Sequence, residues 1–365
     1  MTALIDKKTF ITQLAAGRPV DDIFLVTRKT LAETKAGKPY LALGLGDKTG
    51  EIEARLWENA SEYAAGIQEG SFVRIKAVAK PFREQLQLSV QSLEPVTEDR
   101  INLADFMPAS KRPPAEMARE LDAVIAEVAD TGIQALLREI FQGDVLTRFQ
   151  QAPAAKKMHH AYIGGLLEHS LSIAAMAAKT AEHYPLLDRS MLLAGALLHD
   201  IAKIEEYSFQ RPPFDYTDRG RLVGHLVLGV ELVRRAAEQV PQLPLEQVDQ
   251  LVHIILSHHG QLAFGSPVLP MTPEAIMLHH LDDMDAKMNY LEGLRDKMTK
   301  SGWQWSEYQR HLERYLYLQG NGSGGQVSFD TPLGHATDEA MIRPLDDAQP
   351  QSGVTVGQQR QRSLF

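Results

Sequence analysis

Leu197-Leu198-His199-Asp200-Ile201-Ala202-Lys203 decides how this chain is read. An adjacent His-Asp pair stands inside a run that is otherwise apolar and helical in spacing, where an unpaired charge costs several kcal/mol. A bound cation compensates that charge directly, because neutral imidazole and ionised carboxylate are both good ligands for divalent transition metals. Lys203 follows Asp200 by three residues and His199 by four, so it projects from nearly the same helix face. Its ammonium is placed to meet a phosphate held at the metal.

Working outward, further candidate ligands fall on separate helical stretches. His169 ends Gly164-Gly165-Leu166-Leu167-Glu168-His169, and His225 lies in Val223-Gly224-His225-Leu226. His258 and His259 precede Gly260 at an expected helix end. Asp282 heads Asp282-Asp283-Met284-Asp285-Ala286. A lone histidine in an apolar helix is more often a hydrogen-bonded core residue than a ligand, and an acidic run is more often a solvated face. Independent explanations for all seven residues become improbable together. Five histidines and two aspartates exceed the needs of one ion, so the count suits two with Asp200 bridging. His159, His160, His253, His279 and His280 are expected as hydrogen-bond partners or substrate contacts rather than ligands. His183, His311 and His335 carry no expected role.

The helical periodicity holds from Ala115 to about Leu318, with stretches at residues 165–184, 190–207, 222–239 and 246–259. Ahead of it the period is two. Leu41, Leu43 and Leu45, then Ile52, Ala54 and Leu56, then Val73, Ile75 and Ala77, then Leu86, Leu88 and Val90 alternate as half-buried strands require. Turn chemistry separates them at Ala36-Gly37-Lys38-Pro39, Asp47-Lys48-Thr49-Gly50 and Lys80-Pro81. With a first strand at residues 23–34 and a short helix near 59–65 between the third and fourth, the order is that of an oligonucleotide/oligosaccharide-binding (OB) barrel. The expected fold is therefore multidomain: a small all-β five-stranded OB barrel followed by an all-α helical bundle. The expected divisions are an N-terminal helix at 1–16, the barrel at 17–97, a linker at 98–114, the helical domain at 115–319 and a disordered tail at 320–365.

If Leu41, Leu43 and Leu45 point inward, Tyr40, Arg55 and Trp57 point outward. An outward aromatic pair with arginine is a platform on which unpaired bases stack. Lys35, Lys38, Lys80, Phe82 and Arg83 are placed to line the same groove.

Composition narrows the function classes. The chain has 365 residues, of which 44% are hydrophobic and 23% charged, as in ordinary globular proteins. The absence of cysteine removes disulfides, thiolate catalysis and thiolate metal sites together. A net charge of −9 argues against a general nucleic-acid coat, though a local basic face fits within it. No apolar run reaches the roughly 18–20 residues of a membrane span. The opening Met1–Phe10 stretch lacks a signal-peptide pattern, so a cytoplasmic protein is expected.

The order His…His-Asp…His…His-His…Asp resembles the HD superfamily of metal-dependent phosphohydrolases, in its two-metal branch. The resemblance implies one ion held by His169, His199, Asp200 and Asp282, and another by Asp200, His225, His258 and His259. It implies manganese first, with Fe, Co, Ni and Zn compatible. An OB barrel of the tRNA-anticodon-binding type followed by an HD domain is similar to the YhaM-type 3′–5′ exoribonuclease family. Its most specific pieces here are His159-His160-Ala161-Tyr162-Ile163-Gly164-Gly165-Leu166-Leu167-Glu168-His169 and Leu198-His199-Asp200-Ile201-Ala202-Lys203. That likeness covers residues 15–318. It implies hydrolysis of single-stranded RNA, or DNA, from the 3′ end to nucleoside 5′-monophosphates, with Asp200 and Lys203 catalytic. It also implies self-association as a homo-oligomer. Two other readings stay open at this level: a phosphodiesterase or phosphatase for small or cyclic nucleotides, and a nonenzymatic single-strand binder with an HD scaffold.

Overall fold

The computed structural model describes residues 4–34, 36–82, 85–156, 159–296, 298 and 300–322. The period-two segments form β1 (Pro19–Glu33), β2 (Pro39–Asp47), β3 (Gly50–Leu56), β4 (Phe72–Phe82) and β5 (Gln85–Val96), with helix α1 (Ala60–Gly66) between β3 and β4. They close into a barrel in the order β1-β2-β3-β5-β4, antiparallel except for the β3–β5 pair. The long β1 makes closure possible by pairing with β4 through Pro19–Leu25 and with β2 through Leu25–Glu33. Register shifts at Val26/Arg28 and Lys76/Ala77 supply the local bends that a small barrel needs. Leu41, Leu43, Leu45, Ile52, Ala54, Leu56, Val73, Ile75, Ala77 and Leu88 fill its interior.

Around the barrel one expectation is corrected and another gains detail. The helix expected at residues 1–16 is not formed by the described ones, 4–16, of which only Ile11–Gln13 makes a single 3-10 turn. Asp22 Oδ2 accepts the N–H groups of Lys8 and Thr9, and Asp47 Oδ2 accepts that of Ile11, so carboxylates take the donors a helix would use internally. The linker expected at residues 98–114 packs against the barrel. Ile101 and Phe106 are buried against Ile23, Leu25 and Phe72, in a second apolar cluster outside the barrel interior. Lys48 N–H donates to Asp105 O at 2.9 Å and Lys48 Nζ meets Asp105 Oδ1 at 2.9 Å, which ties this strap down. Its end pairs with the segment ahead of the His169 helix, through Ile163 N to Pro108 O and Ser110 N to Ile163 O.

The helical half comprises α2 (Pro114–Glu127), α3 (Thr131–Ile140), α4 (Gly143–Gln151), α5 (Gly165–His183), α6 (Arg189–Leu198), α7 (Lys203–Glu206), α8 (Asp218–Ala237), α9 (Leu245–Ser257) and α10 (Pro273–Asp296). Every residue of α6 from Ser190 to Leu198 is buried, so this helix is the centre of the bundle. It packs against Leu166, Leu171, Ala174 and Ala177 of α5 and Leu251, Ile254 and Ile255 of α9 within one core. Each large aliphatic side chain contributes about 1.5–3 kcal/mol on burial. Asp130, Asp188 and Thr217 cap the N-termini of α3, α6 and α8.

The helix expected over residues 190–207 instead ends at Leu198, and the chain tightens into i→i−3 turns, Ile201 N to Leu198 O and Lys203 N to Asp200 O. The His-Asp pair thus sits at a helix end rather than inside one. Two short hairpins accompany the helices: β6 (Tyr207–Ser208) with β7 (Asp215–Tyr216) between α7 and α8, and β8 (Ser301–Trp305) with β9 (Tyr317–Asn321) after α10. The second runs into the start of the expected tail, because Trp303, Trp305, Tyr315 and Tyr317 follow a period of two. The remainder of that tail, residues 323–365, lies outside the described residues. No helix among the described residues is long and apolar enough to cross a membrane.

Candidate metal centre and nucleic-acid interface

The break after Leu198 builds the first part of the centre. Residues three apart eclipse in such tight turns, and Lys203 Nζ lies 2.6 Å from Asp200 Oδ2 with both side chains buried. Burial disfavours the charge on each, yet the pairing overcomes it. The Asp200 carboxyl is held well below the usual range, and the Lys203 ammonium is raised.

Around Asp200 the histidines are sorted by their Nδ1 contacts. His199 Nδ1 donates to Ala196 O at 3.0 Å and His258 Nδ1 donates to Ile255 O at 2.8 Å. His225 Nδ1 lies 3.0 Å from Glu206 Oε1, and His169 Nδ1 lies 2.7 Å from Asp285 Oδ2. Each contact assigns a proton to Nδ1 and turns Nε2 inward. His169 and His199 turn Nε2 toward Asp200 Oδ2, at 3.8 and 3.5 Å. His225 and His258 turn theirs toward Asp200 Oδ1, both at 3.5 Å. Asp282 Oδ1 approaches His169 Nε2 at 3.2 Å and His199 Nε2 at 3.9 Å. His259 completes a group with His225 and His258 whose ligand atoms lie within 4.8 Å of one another, as do those of His169, His199 and Asp200. All seven expected ligands therefore converge.

Backbone conformation aims two of them. Gly224 breaks α8 at φ 76°, ψ 155°, a region open almost only to glycine, and frees the His225 N–H to donate to Glu206 Oε1 at 3.1 Å. Gly260 adopts φ +77° directly after His259, and a Cβ there would stand 2.2 Å from the His279 ring. His279 Nδ1 in turn donates to His258 O at 2.9 Å.

The donor set fits divalent cations. Buried Asp200 Oδ1, His225 Nε2, His258 Nε2 and both carboxylate oxygens of Asp282 lack a hydrogen-bond partner among the described residues. Buried polar atoms are almost always paired, and five converging acceptors call for a shared positive charge. His169 Nε2 and His199 Nε2 face each other at 3.3 Å, an arrangement suited to lone pairs sharing an electrophile. Burial pushes His199 down to about 4 and His259 to about 2, which keeps both neutral and ligand-competent. At His169 burial also acts to lower the pKa, but Asp282 and Asp285 outweigh it and raise the imidazole to about 10. These carboxylates demand a positive charge at that position, which a proton or a metal ion supplies.

From the sequence, Asp282 is chosen over Asp285 as the ligand of its run, and Glu206 is not singled out. Asp285 accepts from His169 Nδ1, from His160 Nε2 at 2.9 Å and from Ser172 Oγ, and its carboxyl is held far below the usual range despite burial. Its separations from the two histidines are those of hydrogen bonds, which makes it an orienting group. The signal was present as the i, i+3 spacing of Asp282 and Asp285, which puts both on one face of α10. His160 serves as an orienting contact as expected, while His253 Nε2 accepts from Met271 N–H at the surface.

On the barrel, Tyr40 and Trp57 stack with centroids 4.9 Å apart and planes at 30°. The Arg55 guanidinium lies 5.6 Å from the Tyr40 ring and 5.1 Å from the Phe82 ring. Trp57 and Phe82 are exposed, and Lys38 is exposed in the β1–β2 turn two residues before Tyr40. Lys35 and Arg83 lie outside the described residues.

The fold and the centre together define an HD-domain protein with an appended OB barrel, and comparison with known proteins agrees. The family model described as HD domain matches residues 166–287, and that described as OB-fold nucleic acid binding domain matches residues 25–96. A third, described as a putative helicase, matches residues 128–191. The protein named 3′-5′ exoribonuclease YhaM from Bacillus subtilis is 36% identical over 277 residues, covering 76% of this chain and 87% of that one. Its namesake from Halalkalibacterium halodurans is 35% identical over 310 residues, covering 84% and 94%. Among solved structures, the second OB-fold domain of replication protein A from Methanococcus maripaludis has 20% identity and a TM-score of 0.21, covering 25% of this chain and 95% of that one. The chain belongs to the YhaM 3′–5′ exoribonuclease family.

Proposed function

We propose that this protein is a metal-dependent 3′–5′ exoribonuclease that hydrolyses single-stranded RNA to nucleoside 5′-monophosphates. The observation that carries the reading is the division of Asp200, whose Oδ2 faces His169 and His199 while Oδ1 faces His225 and His258. A carboxylate placed between two imidazole pairs is suited to bridging two cations. His169, His199, Asp200 and Asp282 would hold one, and Asp200, His225, His258 and His259 the other, with manganese the first choice. Bound cations supply Lewis acidity at a phosphodiester and make water a competent nucleophile near neutral pH.

The chain's own residues do the rest. Asp285, Glu206 and the carbonyls of Ala196 and Ile255 keep the imidazoles in one tautomer. Lys203, buried beside Asp200, offers an ammonium to a non-bridging phosphate oxygen as charge builds there. The Tyr40–Trp57 stack with Arg55 and Phe82 holds unpaired bases of the strand, with Lys38 beside it. No serine or cysteine nucleophile is required.

The test is 5′-end-labelled RNA and DNA incubated with purified protein across several divalent metals, with products identified by mass. RNA shortened from its 3′ end with release of 5′-monophosphates is expected, and Asp200→Asn abolishes it. Undiminished activity in Asp200→Asn excludes the bridge, and cleavage of cyclic or mononucleotides alone replaces the reading.

A further inference from the structure

The β6–β7 hairpin grows out of the wall of the histidine cluster. Tyr207 follows Glu206, the carboxylate that holds His225, and the chain comes back to it at Thr217. There the N–H donates to Glu206 O at 2.9 Å and Oγ1 donates to Glu205 O at 2.8 Å. Just before that return stands Tyr216, 39% exposed, its ring 5.1 Å from that of Tyr207.

Two cations converge on it from different segments. Lys156 comes from the stretch between α4 and α5 that leads into His159 and His160, and its Nζ lies 5.8 Å from the Tyr216 ring centroid. Arg221 comes from the start of α8, four residues before His225, and its Cζ lies 5.3 Å from the same centroid. Both cations pair with a single oxygen, Asp215 Oδ1, at 2.7 and 2.9 Å. One carboxylate against two cations leaves this patch of side chains one positive charge in excess beside an exposed ring. The segments that bring His160, Glu206 and His225 to the centre thus each contribute a member of this patch.

We propose that Lys156, Tyr216 and Arg221 form a binding subsite for the nucleotide next to the scissile phosphodiester. The inference rests on the nuclease reading above and deepens it. Tyr216 offers a ring face to the base, as sequence-independent single-strand binders do. Lys156 and Arg221 receive the phosphate. Asp215 sets the two cations in place, and a phosphate oxygen takes over its role when the strand enters. The subsite is separate from the Tyr40–Trp57 platform, which belongs to the barrel.

The experiment measures degradation of a 12-nucleotide RNA by the metal-loaded, full-length protein. Tyr216→Ala raises KM about tenfold with the loss confined to KM, and Tyr216→Phe restores it. Lys156→Ala combined with Arg221→Ala flattens the dependence of log kcat/KM on log salt by about 0.7 per cation removed. An unchanged KM in Tyr216→Ala, or a loss that falls on kcat alone, overturns the subsite. So does an unchanged salt slope in the double variant, which decides the matter by itself if Tyr216→Ala fails to fold. RNA left intact by the unmodified protein instead brings down the nuclease reading, a result distinct from cleavage that the variants do not alter.

Discussion

Asp285 Oδ2 lies 2.7 Å from His169 Nδ1, and this contact decides which nitrogen of His169 faces the centre. The same oxygen lies 2.9 Å from His160 Nε2, so one carboxylate sets two imidazoles while Asp282, three residues earlier on α10, points its oxygens inward.

Asp285→Asn keeps the shape of the side chain but weakens it as a twofold acceptor. Manganese affinity is expected to fall about 10–100-fold, the usual loss when an orienting partner of a ligand is removed. Titration calorimetry with Mn²⁺ measures it, alongside circular dichroism to establish that the helices persist. Unchanged affinity shows that the contact does not orient His169.

The pH dependence of metal binding follows from His169. Its pKa without a cation is raised to about 10, so below that pH a metal ion must displace a proton. Affinity therefore rises with pH, by about tenfold per unit for one proton between pH 6.5 and 9. In chelator the same shift acts on stability: the contribution is full below the unfolded value near 6.5 and is lost as pH rises through about 10. Proton release on Mn²⁺ addition and melting curves in EDTA across this range check both signs.

Gly224→Ala places a Cβ on a backbone at φ 76°, ψ 155°. The strain is expected to cost about 1–3 kcal/mol, visible as a lower denaturation midpoint. Because the kink also frees the His225 N–H for Glu206, metal affinity falls with it. A variant with wild-type stability and affinity contradicts the assigned role of the kink.

Tyr40→Ala with Trp57→Ala removes the stacked pair on the barrel. Binding of a long single strand weakens by about 1–3 kcal/mol per lost stacking partner, while hydrolysis of a dinucleotide changes much less. Fluorescence anisotropy and dinucleotide turnover make the comparison, and equal losses on both reject the barrel as a strand reader.

The seven candidate ligands were legible as a group because metal chemistry leaves a sparse, type-specific trace: His199-Asp200 and His258-His259 are costly amid apolar helical sequence unless something compensates them. The barrel was legible because burial of one face repeats every second residue, as at Leu41, Leu43 and Leu45, all buried. What escaped was set by hydrogen bonds between distant residues. Nothing local marks Glu206 as the partner of His225, or Asp22 and Asp47 as the acceptors that keep residues 8–11 from coiling. The apolar spacing through residues 190–207 gave no sign of the turn after Leu198, because Ile201 and Ile204 continue the pattern into tighter geometry.

Ile101 and Phe106 bear directly on any attempt to excise the barrel. Cutting after the last strand, at Val96, would strip the cover from Ile23, Leu25 and Phe72 and leave a sticky patch on the isolated piece. A workable boundary runs beyond Phe106, so a separable barrel is longer than its five strands, and the residues that follow, Pro108 and Ser110, already pair with Ile163 just ahead of α5.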